Sequence, residues 1–168
     1  MKQVAFWVLT FLSISCSTSK NTNQKTFVAK PEKILIKNIS DTTIRLPRGT
    51  SQAVWAGNTL YVSGSLDPDM KLHPTTEQQT VGLLTYLQKF LKTEGLTFGD
   101  VVMVRVYLGA DPAKEGKMDF IGMQTAYKQF FGTPEQPNKP ARTTVQVILP
   151  AGEAGALIEI DLMAVRSK

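Results

Sequence analysis

Apolar positions in this 168-residue chain switch between the two-residue period of strands and the 3.6-residue period of helices. Ile34 to Ile39 predicts a first strand, and Ile44 to Gly49 is then broken by proline and glycine. Ala53-Val54-Trp55 and Thr59 to Ser65 flank Ala56-Gly57-Asn58. Gly and Asn tolerate the positive φ of a tight turn, so this stretch predicts a hairpin. Gly64 inside the second run predicts a bulge or a close approach. The period then changes. Val81, Leu84, Leu87, Phe90 and Leu91 recur at helical spacing over Thr76–Glu94, with a capping box from Thr76 and Gln79 and an end at Gly95. The valine-rich run Val101–Leu108 suits a central strand. Asp119–Phe131 predicts a second helix, its apolar face supplied by Phe120, Met123, Tyr127 and Phe131, capped by Asp119 and ended by Gly132. The proline-rich loop 133–140 leads to two last strands, through Val147 and from Ala156 to Val165.

Strands, helix, strand, helix, two strands predict an α+β fold: a mixed sheet with two helices packed on one face. Strand alternation groups Thr143, Val145, Val147 and Leu149 on one side, and Arg142, Thr144, Gln146 and Ile148 on the other. In the last strand Ile158, Ile160 and Leu162 share a face, and Glu159 and Asp161 point the opposite way. With the apolar sets on the helices, Arg142 and the two acids are expected together on the far side. A second subunit is expected to cover that side.

The N-terminus changes the picture of where this domain works. Lys2 precedes an apolar segment, Val4–Ile14, shorter than the roughly 17–25 residues of a membrane-spanning helix. Residues 1–16 are therefore expected to be an export signal. The segment resembles a lipoprotein-type signal, in which the lone cysteine, Cys16, would be the acylated first residue of the mature protein; a plain secretory signal cut near Ser15 is the other reading. Acyl chains contribute about 0.8 kcal/mol per buried CH₂. Residues 17–33 are polar and are expected to be a flexible linker, leaving one domain expected at 34–168. The expected location is exported, periplasmic or cell-envelope, with the membrane reached by a lipid anchor at Cys16 only. The net charge of +5 comes without a dense basic, aromatic-interleaved run, so nucleic acid is not an expected partner.

The candidate chemistry centres on Arg142. An arginine heading one strand and two acids inside the next are costly to bury unless paired or used. One reading is a structural ion pair between Arg142 and Asp161 or Glu159; the other is a clamp for a small carboxylate. Asp161 is expected to be structural. Arg105 is expected at solvent or a subunit boundary, His73 in an exposed loop, and Tyr127 in the core or a pocket wall. No metal-ligand cluster or phosphate-binding glycine loop is present in the sequence.

Several segments carry a resemblance. They are Gly57-Asn58 with Tyr61-Val62-Ser63-Gly64; Leu96 to Val102; Tyr127 to Phe131; Pro140-Ala141-Arg142; and Ile158 to Asp161 with Ala164-Val165. In order and spacing they resemble the RidA (YjgF) family over Gly49–Arg166. The resemblance implies a chorismate-mutase-like fold, a homotrimer with three ligand sites between subunits, and no metal or organic cofactor. It implies a hydrolase similar to 2-iminobutanoate/2-iminopropanoate deaminases, converting reactive 2-imino or enamine acids to 2-oxo acids and ammonia. Arg142 falls on the substrate-binding arginine, which can hold a carboxylate by two parallel hydrogen bonds. Glu159 falls on the acid that positions water. The backbone around Thr144, with Ser63 and Gly64, borders the substrate.

Three departures stand out. Thr50 occupies a position where active deaminases commonly carry tyrosine, Ser65 replaces a frequent glutamine, and the Asp111–Lys117 loop is long. With an exported location, these leave a second reading: a non-catalytic binding protein for small carboxylates.

Overall fold

The computed structural model describes residues 33–36, 51–149 and 155–167, all within one compact unit, 31–168. The export signal, Cys16, Thr50 and all but the last residue of the expected linker lie outside the described residues. The elements are β1 (Lys33–Ile36), β2 (Ala53–Ala56), β3 (Thr59–Ser65), α1 (Thr76–Thr93), β4 (Val101–Leu108), α2 (Phe120–Tyr127), β5 (Ala141–Gln146) and β6 (Ile158–Val165). The strands form one six-stranded sheet in the order β1-β2-β3-β6-β4-β5. Only β4 and β5 pair in parallel; the other neighbours are antiparallel. The crossover through α2 explains the exception, because two parallel strands need a long connection.

The hairpin is where the sequence placed it. Ala56 pairs with Thr59, and Gly57 takes φ +63° in the turn. In α1 the capping box is shifted by one residue from expectation: Thr75 accepts from the Gln78 amide, and Gln78 answers the Thr75 backbone. Gly95, at φ +71°, follows the helix as predicted. Helix α2 is shorter than expected. It closes at Tyr127, and the segment to Phe131 continues as turns.

Both helices cover one face. Leu83, Leu84, Leu87 and Leu91 of α1 and Met123 and Tyr127 of α2 are buried in one core with Val104, Val106, Leu108, Ile158, Ile160 and Leu162 of the sheet. Full burial of each such aliphatic side chain contributes about 1.5–3 kcal/mol. On the other face Tyr61 and Val145 are exposed, and Val102 is exposed at the register shift between β4 and β6. Among the described residues no helix is long and apolar enough to cross a membrane.

Candidate active site

The register of β4, β5 and β6 decides where the candidate residues point. Arg142 pairs with Val104, and Val104 with Leu162. Val104 and Leu162 are buried beneath the helices, and laterally paired residues share a face. Arg142 and Thr144 therefore lie on the helix side. Val145 pairs with Tyr107, and Tyr107 with Glu159, so Glu159 lies on the far side. This corrects the expectation that Arg142 shares a face with Glu159 and Asp161. The apolar set of β5 points away from the helices instead, with Val145 exposed. Hydropathy misassigned the strand because β5 is the sheet edge, where Arg142 reaches the rim of the core.

The surroundings of Arg142 explain how its charge is tolerated there. Its Nη2 donates to Gln124 Oε1 at 2.7 Å. Its guanidinium carbon lies 4.4 Å from the centroid of the Tyr127 ring, within cation–π range. Neither of these partners is a carboxylate, and Asp161 and Glu159, paired with Arg105 and Tyr107, lie on the opposite face of the sheet. Arg142 opens onto a cleft of ≈ 590 Å³ lined by Gln124, Tyr127, Lys128, Phe131, Gly132, Lys139 and Pro140. That volume falls within the range of small-molecule sites. Burial pushes the Tyr127 hydroxyl up to about 12, with the Arg142 charge pulling the opposite way. Tyr127 is therefore a neutral wall of the cleft at ordinary pH. Its hydroxyl and that of Thr144 are both buried without a hydrogen-bond partner.

Asp161 has a different partner. Arg105 Nε donates to Asp161 Oδ1 at 2.7 Å, and the Tyr107 hydroxyl donates to Oδ2 at 3.0 Å. The hydrogen bond and charge of Asp161 raise the affinity of Arg105 for its proton. Burial, then the bond to Asp161, raise that of Tyr107. The structural role expected for Asp161 fits this network on the far face.

Ser63, Gly64 and Glu159 form a second group on that face. The β3–β6 register shifts between Val62 and Ser65, which is the bulge predicted at Gly64. Glu159 crosses the glycine so closely that a Cβ at position 64 would sit 1.8 Å from its Oε1. The Ser63 hydroxyl donates to the Ser51 carbonyl at 2.7 Å, fixing the β2–β3 entry. The candidate residues thus fall into two sets: Arg142 and Thr144 at the sheet edge on the helix side, and Ser63, Gly64 and Glu159 on the far side.

Two buried acids escaped sequence reasoning. Asp67, fully buried through its side chain, holds His73 Nδ1 at 2.5 Å, so His73 is a partner in a loop anchor and not a free exposed residue. Asp111 accepts from Thr76 Oγ1 at 3.2 Å and from the Ala113 amide at 2.8 Å, closing the long loop against the start of α1. Nothing in the hydropathy pattern marks either acid, because each is paid for by bonds to residues in loops or caps.

A six-stranded mixed sheet with two helices on one face and an arginine cleft at its edge defines an α+β protein of the RidA-like fold. Solved structures with this architecture include a conserved Rid-family protein from Yersinia pestis (TM-score 0.63, 24% identity, covering 80% of this chain and 100% of that one). Another is a YjgF-family member from Neisseria meningitidis (TM-score 0.58, 22% identity, 73% and 92% covered). The family model described as Endoribonuclease L-PSP matches residues 47–166, and the chain belongs to this RidA/YjgF family. Among its relatives, a RutC family protein of Pyrococcus horikoshii is 34% identical over 119 residues, 68% of this chain and 84% of the relative. A protein of Capra hircus named 2-iminobutanoate/2-iminopropanoate deaminase is 35% identical over 124 residues, 69% and 79% of the two chains.

Proposed function

We propose that this protein hydrolyses reactive 2-imino or enamine acids to 2-oxo acids and ammonia. The observation that carries the reading is Arg142: a guanidinium at the mouth of a small cleft, held by a neutral amide and an aromatic ring, with no carboxylate among those partners. Such a group can take a substrate carboxylate by two parallel charge-assisted hydrogen bonds. The deaminase names among the relatives support the same chemistry.

Hydrolysis adds water across the C=N bond. In this reading Glu159 orients the water and accepts its proton as oxygen attacks the imine carbon. The nitrogen is protonated, and collapse of the carbinolamine expels ammonia and leaves the 2-oxo acid. A positioned base contributes about 10²–10⁴-fold. The backbone near Thr144 borders the imine nitrogen, while Ser63 and Gly64 line the strand beside Glu159. No metal or organic cofactor is called for by this chemistry.

Arg142 and Glu159 occupy opposite faces of one sheet, so the site in this reading is composite. One copy supplies Arg142 and Thr144, and a neighbour in a homotrimer supplies Ser63, Gly64 and Glu159. The exposed Tyr61 and Val145 on the far face give that neighbour an apolar surface to cover. Attachment through Cys16 places the trimer at the cell envelope.

The test is purified protein mixed with an amino-acid oxidase that generates imino acids, followed by semicarbazone trapping. Wild type is expected to lower trapping and Arg142→Ala to leave it at the uncatalysed level. Equal trapping with both proteins refutes the enzyme. The second reading, a non-catalytic binder of small carboxylates, rests on the export signal and Thr50. Calorimetric binding of 2-oxo acids without turnover selects it.

A further inference from the structure

The Arg142 cleft carries more positive charge than one carboxylate requires. Lys128 and Lys139 line it with Arg142, and no acidic residue is among its lining residues. Like charges gathered around a cavity raise the local concentration of anions and repel one another until an anion is bound.

Lys139 is set in a braced loop. The Gly132 and Thr133 amides donate to the Gln136 carbonyl at 2.9 and 3.0 Å. Gln136 Nε2 donates to the Asn138 carbonyl at 3.2 Å, and its Oε1 accepts from the Asn138 amide at 3.1 Å. The Asn138 side chain in turn donates to the Val101 and Phe98 carbonyls at 2.8 and 3.2 Å. Residue 139 is therefore fixed between an anchored asparagine and Pro140. Its aliphatic stem lies over Gly132, where a Cβ would come within 2.7 Å of Lys139 Cε. Gly132 also has φ +76°, so its conformation and the path of the lysine favour the same residue. Lys128 also lines the cleft, from the C-cap of α2, where the helix dipole favours a cation.

We propose that the cleft selects small acids with a second carboxylate: Arg142 takes the one beside the reacting carbon, and Lys139, assisted by Lys128, takes the distal one. The substrate class is then the imines of dicarboxylic amino acids. This rests on the reading of Arg142 as a carboxylate clamp.

The test is calorimetry on the full chain with butanedioate and butanoate, which have the same carbon count. Wild type is expected to bind butanedioate about 3–10-fold more tightly at low salt, with the ratio shrinking as salt screens the exposed lysines. The double variant Lys128→Met, Lys139→Met, which keeps the aliphatic stems, is expected to weaken butanedioate binding more than butanoate binding and to bring the ratio toward one. A wild-type ratio near one, or a ratio unchanged in the double variant, overturns the proposal and leaves the clamp standing. Arg142→Met is expected to lose both ligands. Retained butanoate binding in that variant, or binding of neither ligand by wild type, overturns the clamp and the dicarboxylate preference together.

Discussion

Arg142 and Glu159 lie on opposite faces of the same sheet, separated by the register that pairs Arg142 with Val104 and Glu159 with Tyr107. A one-residue step along a strand reverses the face, and no rotamer carries a side chain through a hydrogen-bonded sheet. The same register brings Arg105 and Tyr107 onto Asp161. The far face therefore has its own cation for Asp161, and Glu159 runs against Gly64. If Arg142 and Glu159 act on one small molecule, they do so from different copies of the chain.

Gly64 sets the path of Glu159. A methyl group there would fall 1.8 Å from Oε1 and 2.8 Å from Cδ. The obstacle is the end of a flexible side chain, so Gly64→Ala is expected to move the carboxylate and spare the fold. Steady-state deaminase assays should show kcat reduced about 10–100-fold, approaching Glu159→Gln, with Tm lowered by only a few degrees, about 1 kcal/mol or less. Full activity in Gly64→Ala beside an inactive Glu159→Gln would mean that the glycine does not position the acid.

Tyr127 predicts an alkaline signature. Its folded-state value is raised from 10.0 to about 12, so the folded protein holds the phenolic proton more tightly than the unfolded chain. The resulting stability is complete below pH 10 and is lost as pH rises toward 12, up to about 2–3 kcal/mol in all. Tyr127→Phe removes both this dependence and a buried hydroxyl without a hydrogen-bond partner. Denaturation curves should give a variant at least as stable as wild type at pH 7, by up to about 1 kcal/mol, with the gap widening above pH 10. Parallel profiles for the two proteins would contradict the assignment.

Much of this architecture is legible in the residues, and the exceptions have physical causes. The hairpin at Gly57-Asn58 and the bulge at Gly64 follow from backbone permissiveness, which is local. The α1 cap was displaced because Thr75-Thr76 and Gln78-Gln79 offer the same box in two registers. The face of β5 was inverted because hydropathy assigns sides by assuming the apolar set packs inward, and an edge strand with Val145 exposed on the far face breaks that assumption. Arg142 was recognisable as a functional residue from its position; its partners Gln124 and Tyr127 come from α2 and depend on tertiary packing. The Asp67–His73 pair lies in a loop with no periodicity to read.

That pair makes Gly82 more than a weak point in a helix. Gly→Ala at a helix interior ordinarily stabilises by roughly 0.5–1 kcal/mol. Here the new Cβ would lie 2.4 to 2.8 Å from the Asp67 carboxyl group, which is buried and bonded to His73. Overpacking of this kind costs about 1–3 kcal/mol, which outweighs the propensity gain. Urea denaturation of Gly82→Ala should therefore show a lower midpoint at unchanged slope, and a higher midpoint would show that the carboxylate has room to retreat.

The composite site proposed for a homotrimer makes its strongest prediction for mixed assemblies. Arg142→Ala removes the clamp from a subunit and keeps its Glu159; Glu159→Gln does the reverse. Each homotrimer should be inactive. Co-expressed with different tags and purified through both, the two chains are held in trimers of two subunits of one kind and one of the other. In a closed ring where each site joins Arg142 of one subunit to Glu159 of the next, every such trimer contains one intact site in three. Activity should therefore return to about one third of wild type per trimer, with an unchanged KM. Sites built within single subunits would give no recovery at all, because every subunit in the mixture lacks one of the two groups.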